Sequence, residues 1–167
     1  LVELKNINRL IRQISEPGKG ARIFLKDEAS NASGSFKARR ASVSAYQAEK
    51  SGYDGMIAAT SGNYGAAVAS QAAQRGLKCI IMQEIFDSQF RGQPEIIEKA
   101  RKCQAFGAEA VMLTVGPELF YCLLTTLEET GFFNASLYTP FGINGVETLG
   151  YEIIEQMHKM GEKDPDV

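Results

Sequence analysis

The pattern of apolar positions predicts helices that alternate with short strands along the chain. Apolar residues recur at helical spacing from Leu4 to Ile14, which predicts an amphipathic helix over residues 3–15. The further predicted helices cover residues 36–50, 64–75, 94–106, 117–130 and 145–160. The predicted strands are short and apolar and cover residues 22–26, 56–59, 77–82 and 110–113. This order predicts an α/β fold, with a doubly wound parallel sheet in a three-layer αβα arrangement.

Proline and glycine mark the ends of several predicted helices. Pro94 and Pro117 stand at first helical positions, where the missing N–H group is not needed. Gly76, Gly107 and Gly131 follow last helical positions, where a left-handed residue often closes a helix. Local signals therefore agree with the periodicity.

Composition argues against several classes of protein. A formal net charge of −2 gives no reason to expect a nucleic-acid partner. The apolar runs are far shorter than a membrane span requires. Three widely spaced cysteines without a C-x-x-C pair argue against a disulfide framework or a zinc site and favour a cytoplasmic location. Because His158 is the only histidine, we expect neither a metal centre nor a Ser-His-Asp triad.

Two loops that lead from a strand into a helix are candidate ligand sites, because ligands of open parallel sheets bind beyond the carboxyl ends of strands. The first loop, residues 30–36, is rich in small residues and ends at Lys37. Lys37 falls in the first turn of its helix, where the helix dipole disfavours a positive charge. An uncharged lysine amine attacks aldehydes. The alternative interpretation is a solvated lysine at a helix end.

The second loop, residues 60–63, follows the predicted strand 56–59. Gly62 lets the backbone come close to a ligand, and Asn63 is the predicted N-cap residue. Free N–H groups at this helix start favour an anion such as a carboxylate or a phosphate. The alternative interpretation is a plain capped turn. Two other glycine-containing segments, residues 18–20 and 142–145, lack the spacing of a phosphate-binding loop, and the latter predicts a turn.

Together the two loops resemble the paired signatures of the fold-type II pyridoxal-phosphate enzymes, the group of tryptophan synthase β, threonine synthase and serine dehydratase. The family's first motif is an asparagine, small residues and Ser-Phe-Lys, which here runs from Asn31 to Lys37. Its second motif is Ser-Gly-Asn-x-Gly, here residues 61–65. Residues 102–109 resemble a helix-to-strand passage of the family's smaller domain, and residues 139–152 resemble its return into the larger domain.

The resemblance implies a role for each matching residue. Lys37, the catalytic residue, would carry pyridoxal 5'-phosphate as a Schiff base and move protons at the substrate carbons. Phe36 would pack near the cofactor ring, and Asn63 would hydrogen-bond its phenolic oxygen. The resemblance also implies that a small amino-acid substrate is bound by Thr60, Ser61, Gly62, Asn63 and Tyr64. The first three of these residues would hold its carboxylate.

The resemblance also implies a division of the chain. Residues 1–43 would belong to a larger domain with the cofactor lysine, residues 44–140 to a smaller α/β domain, and residues 141–167 to the return into the larger domain. In the family, the glycine-rich loop for the cofactor phosphate and the partner of the pyridine nitrogen lie further along the chain. We therefore expect this sequence to be a truncated piece of a longer enzyme, inactive and poor at binding the cofactor by itself.

Residues 92–99 and 114–121 reduce the number of possible reactions, because they resemble the threonine-synthase-like branch of the family. Within that branch they resemble a thiolase subgroup that joins alanine and acetyl-CoA reversibly and works with a small partner subunit. The alternative within the family is an elimination or replacement at the β or γ carbon, as in threonine synthase or a serine/threonine dehydratase. An alternative of another class is a non-catalytic nucleotide-binding or scaffold domain with Lys37 as a surface cation. The family resemblance suggests a homodimer.

Overall fold

The computed structural model describes residues 1–136 and 139–166. These residues form two compact units, one made of Leu1–Glu28 with Gly150–Val167 and the other of Ala29–Leu149. The domain bounds that the family implies, after residues 43 and 140, remain a prediction.

The first unit contains a small antiparallel pair of strands joined by a helix. Its elements before residue 29 are β1 (Val2–Glu3), α1 (Lys5–Ile14) and β2 (Phe24–Leu25). The buried side chain of Asn8 ties α1 to this pair, since its Nδ2 donates to Glu3 Oε1 at 3.1 Å and its Oδ1 accepts from Ile23 N at 2.7 Å. Neither strand is longer than two residues, which is why periodicity did not reveal β1.

The second unit contains a four-stranded sheet with helices on both faces. Its elements are α2 (Lys37–Lys50), β3 (Gly55–Ala59), α3 (Asn63–Gln74), β4 (Lys78–Phe86), α4 (Pro94–Ala105), β5 (Glu109–Thr114), α5 (Glu118–Thr130) and β6 (Phe133–Asn134). A last helix, α6 (Pro140–Lys159), begins in this unit and ends in the first. The strand order is β5-β4-β3-β6, and every neighbouring pair is parallel. The predicted α/β fold with a parallel sheet is confirmed.

The two faces of the sheet are covered by different helices. On β3, Met56 and Ala58 pack into a cluster with buried alanines of α2 and α3, and we call this side of the sheet the α3 face. The alternate residues Ile57 and Ala59 pack against buried leucines of α5, and we call this side the α5 face. Alternation continues on β4, where Ile81 belongs to the α3 face and Met82 to the α5 face. The small alanine side chains let α2 and α3 lie close to the strands.

The start of α6 differs from the expectation. Residues 142–145 were predicted to form a turn because they contain two glycines, but they lie inside the helix. Their glycines serve close packing instead, since a Cβ atom on Gly145 would lie 2.5 Å from the carbonyl oxygen of Arg39. In the described part of the chain, no helix combines the length and apolarity needed to cross a bilayer.

Candidate active site

The second loop leaves the carboxyl end of β3 and enters α3 within three residues. Thr60 continues the sheet for one more hydrogen bond, because its N–H donates to the carbonyl oxygen of Met82 at 2.9 Å. The Thr60 hydroxyl oxygen then accepts from Gly62 N at 3.1 Å, which folds the loop back on itself. The prediction that Asn63 is the N-cap residue was wrong. Gly62 holds that position, and Asn63 is the first residue of the helix.

No side chain caps the start of α3. Its first N–H groups therefore face the loop, because an α-helix leaves them without partners of its own. They carry the positive end of the helix dipole, which attracts carboxylates and phosphates. This geometry supplies donors for an anion beside Gly62.

The first loop brings Lys37 to the same place. Lys37 is the first residue of α2, and its side chain is half-buried. Its Nζ atom is 3.6 Å from the point where a Cβ atom on Gly62 would lie. The two loops singled out in the sequence therefore meet at one amine and one glycine, and the absence of a side chain on Gly62 leaves space around the amine.

Helices α2 and α3 begin side by side, which explains why the loops meet. The guanidinium of Arg40, one turn after Lys37, lies 4.4 Å from the centre of the Tyr64 ring. The Tyr64 hydroxyl donates to the carbonyl oxygen of Ala135 at 2.5 Å, beyond the end of β6. Burial raises the pKa of this tyrosine, so its hydroxyl stays protonated and keeps donating. The Tyr64 side chain thus fixes the start of α3 to its neighbours.

The remaining predicted site residues lie at the surface of this corner. Phe36 directly precedes α2 and is 41% exposed. Ser61 and Asn63 are exposed, whereas Thr60 and Gly62 are half-buried. The structure thus brings together Lys37 and the second loop, with most of their polar groups accessible from outside.

The loop before Lys37 is held by a residue that the sequence did not suggest. Lys102 of α4 donates to the carbonyl oxygen of Ser33 at 2.7 Å. Its Nζ is also 3.3 Å from the Cβ position on Gly34, which has a left-handed φ of 75°. No motif marks Lys102, because its role depends on a contact across 69 residues.

The residues present fit an aldehyde cofactor with a phosphate and a substrate with a carboxylate. They supply an amine, a carboxamide and free helix N–H groups within one corner. The hydroxyl oxygens of Ser33 and Ser35 are buried and have no hydrogen-bond partner among the described residues, so this loop also retains unused polar groups. Among these same residues, no group of three His, Cys, Asp or Glu side chains is placed to hold a metal ion.

Comparison with known proteins agrees with this geometry. The family described as "Pyridoxal-phosphate dependent enzyme" matches residues 5–167. The 2-amino-4-ketopentanoate thiolase β subunit of Acetoanaerobium sticklandii is 70% identical over 167 residues, which are 100% of this chain and 36% of that protein. A threonine synthase of a Bacillus species is 27% identical over 100% of this chain and 42% of its own length. This chain therefore spans less than half the length of either relative.

A solved structure shows the same fold. The crystal structure of a threonine deaminase from T.th. superimposes with a TM-score of 0.77 and 28% identity, over 97% of this chain and 47% of that chain. The family match covers nearly the whole sequence, from the start of the first helix to the end. The chain therefore belongs to the pyridoxal-phosphate-dependent enzyme family, whose cofactor is pyridoxal 5'-phosphate.

Proposed function

We propose that the full-length protein is the β subunit of a 2-amino-4-ketopentanoate thiolase and that this chain supplies the lysine that holds its cofactor. The proposal is supported by the 70% identity to the relative of that name across all 167 residues. The observation that carries the assignment of the lysine is that the Lys37 Nζ atom lies 3.6 Å from the point where a Cβ atom on Gly62 would lie. This closeness sets a nucleophile beside the helix N–H groups at the start of α3.

The cofactor would be held by Lys37 through its amine, with Phe36 near the ring and Asn63 at the phenolic oxygen. When bound, pyridoxal phosphate withdraws electrons from the substrate carbons. The exposure of Asn63 and Phe36 supports this arrangement, because both side chains are accessible to a ligand beside Lys37.

An amino-acid substrate would bind by its carboxylate at the start of α3. Thr60, Ser61 and Gly62 would hold the carboxylate oxygens through hydroxyl and backbone N–H groups, and Asn63 would add its own N–H. Tyr64 would contribute only its backbone N–H, because its hydroxyl donates to the carbonyl oxygen of Ala135. The carboxylate would thereby fix the substrate beside the Lys37 amine.

The proposed reaction joins alanine and acetyl-CoA to give 2-amino-4-ketopentanoate and free CoA, and it is reversible. The new bond connects the methyl carbon of alanine to the acetyl carbonyl carbon, while the bond from that carbonyl carbon to sulfur breaks. One proton leaves the methyl carbon of alanine and one proton ends on the CoA thiol. The proton taken from the α carbon is returned to that carbon in the product. Lys37 would move the proton at the α carbon as a general base.

The assembly of the enzyme is part of the proposal. We assign a small partner subunit because the 70% identical relative is named as a β subunit. We also assign a homodimer of the full-length chain, as the family resemblance suggests. A cytoplasmic location is supported by three cysteines that are all free thiols, Cys79, Cys103 and Cys122.

Elimination or replacement on a hydroxy amino acid is the second candidate, favoured by the likeness to threonine synthase and threonine deaminase. A scaffold domain is disfavoured, because the Lys37 side chain is half-buried against the second loop and does not extend into solvent as a surface cation would.

A thiol-release assay separates these candidates. The full-length protein, produced with its partner subunit, is mixed with acetyl-CoA and with either L- or D-alanine in separate reactions, and free CoA is measured with a thiol reagent. We expect CoA release that requires both substrates, that is lost in Lys37→Ala, and that persists in Lys50→Ala, a control at the exposed end of the same helix. Release of ammonia and a keto acid from threonine or serine, without CoA release, would instead assign the elimination reaction.

A further inference from the structure

Gln83 of β4 is a buried polar residue that the proposed chemistry does not use. Its side chain is 0% exposed, and neither Nε2 nor Oε1 has a hydrogen-bond partner among the described residues. A buried amide without partners destabilises a protein, so it is uncommon and requires an explanation. The sequence does not explain it, because a single glutamine within a strand carries no motif.

The position of Gln83 points to the second loop. The parallel register sets Ala59 beside Met82, so the next residues along the two strands, Thr60 and Gln83, are lateral neighbours. Their backbones are joined at this level by the hydrogen bond from Thr60 N to Met82 O. Neighbouring strands lie about 4.8 Å apart, which is within reach of a glutamine side chain.

Both side chains also lie on the same face of the sheet. Gln83 follows Ile81 by two residues, and Ile81 belongs to the α3 face. The Thr60 Cγ2 atom and the Ile81 Cγ2 atom lie 2.9 and 2.8 Å from the position of a Cβ atom on Gly65, in the first turn of α3. The Gln83 side chain therefore lies in the layer where α3 begins, on the same face of the sheet as the Thr60 side chain.

We infer that Gln83 is a positioning residue that receives the Thr60 hydroxyl when a substrate carboxylate binds. The inference rests on the proposed carboxylate site. In the present arrangement the Thr60 hydroxyl oxygen accepts from Gly62 N. A carboxylate that takes this N–H leaves the hydroxyl without its donor, and the amide of Gln83 beside it supplies both a donor and an acceptor. Gln83 thus lowers the free energy of the loop when a carboxylate is bound. In the empty loop its amide has no partner among the described residues and destabilises the protein.

This exchange predicts opposite effects on binding and stability. Gln83→Met keeps the size of the side chain but removes both polar atoms. In the full-length protein with its cofactor, we expect the Kd for the alanine enantiomer that binds, measured by the absorbance change of the cofactor, to rise about fivefold, the value of one hydrogen bond. The Tm without alanine is expected to stay the same or rise, because an unpartnered amide has been removed.

A double-mutant cycle tests whether Gln83 acts through Thr60. If the two side chains form one contact, Gln83→Met adds no further loss of alanine affinity in a Thr60→Val background. The control is Gln71→Met, at a glutamine of α3 that is also more than nine-tenths buried but hydrogen-bonds Gln74. We expect the control to leave the Kd for alanine within about twofold, the usual limit for independent sites.

Three results would overturn the inference. They are an unchanged alanine Kd in Gln83→Met, a fall in affinity and Tm together, and losses that add in the double mutant. The first would mean that the amide takes no part in carboxylate binding. Failure of the proposed function is recognised separately, because the parent protein would then show no cofactor absorbance, or no absorbance change when alanine is added.

Discussion

The substitution Gly145→Ala, which adds one methyl group, tests how closely α6 packs against α2. The added Cβ atom would lie 2.5 Å from the Arg39 carbonyl oxygen and 2.9 Å from the Arg40 Cα atom. Both are backbone atoms, so no rotation of a side chain relieves the overlap, and the two helices have to move apart. Because α2 begins with Lys37, this displacement also reaches the candidate site.

The expected loss of stability follows from two opposing effects. Replacing glycine by alanine inside a helix normally stabilises it by about 1 kcal/mol. Overpacking at a close contact costs about 1–3 kcal/mol, and contact with backbone favours the upper end of that range. We therefore expect Gly145→Ala to lower the free energy of unfolding by about 1–2 kcal/mol.

Gly150→Ala is the matched control, because Gly150 lies in the same helix and a Cβ atom there meets nothing within 4 Å among the described residues. It is expected to raise the free energy of unfolding by up to about 1 kcal/mol. Urea unfolding followed by circular dichroism measures both variants against the parent chain. Equal stability of the two variants would refute the close packing of α6 on α2.

Three further predictions concern the core and the lysine. Gly65→Ala would set a Cβ atom 2.8 Å from Ile81 Cγ2 and should lower the free energy of unfolding, measured in urea, by about 1–2 kcal/mol once the helix gain from alanine is subtracted; an unchanged urea midpoint would contradict the packing of α3. Burial raises the pKa of Cys79 to about 12 and that of Cys103 to about 11, so folding stability should be complete below about pH 8.5 and should fall as the pH rises, because the unfolded thiols ionise first. Cys79→Ala should flatten this alkaline fall in urea midpoints, and a midpoint that is constant up to about pH 10 in the parent would disprove the reasoning. Lys37→Ala should change the free energy of unfolding by less than about 0.5 kcal/mol, since the side chain is only half-buried; a large loss would assign Lys37 a structural role.

The sequence predicts the order of the main elements because each has a strong local signal. Buried parallel strands are short apolar runs. Pro94 is the first residue of α4 as predicted, whereas Pro117 is the N-cap residue of α5 and not its first residue. Glycines with left-handed φ angles close these helices. The loops after strands are likewise local features. The meeting of Lys37 with the second loop, by contrast, is implied only by the family resemblance of the two motifs, because the strand before the first loop, β2, pairs with β1 and lies outside the parallel sheet.

The features that the sequence did not reveal depend on contacts between distant parts of the chain. β6, Phe133–Asn134, is too short to show a period of two and exists because it pairs with β3. Gly145 favoured a turn locally, whereas its contact with α2 explains the glycine. Lys102 and Gln83 carry no motif, and only their partners or lack of partners distinguish them.

Reduction with borohydride tests most directly whether Lys37 holds the cofactor. The full-length protein is incubated with pyridoxal phosphate and reduced, and the modified peptides are identified by mass spectrometry. We predict one stable adduct on the Lys37 side chain, absent from Lys37→Ala and unchanged in Lys50→Ala. An unmodified Lys37, or label scattered over many lysines of the protein, would contradict the assignment of this amine.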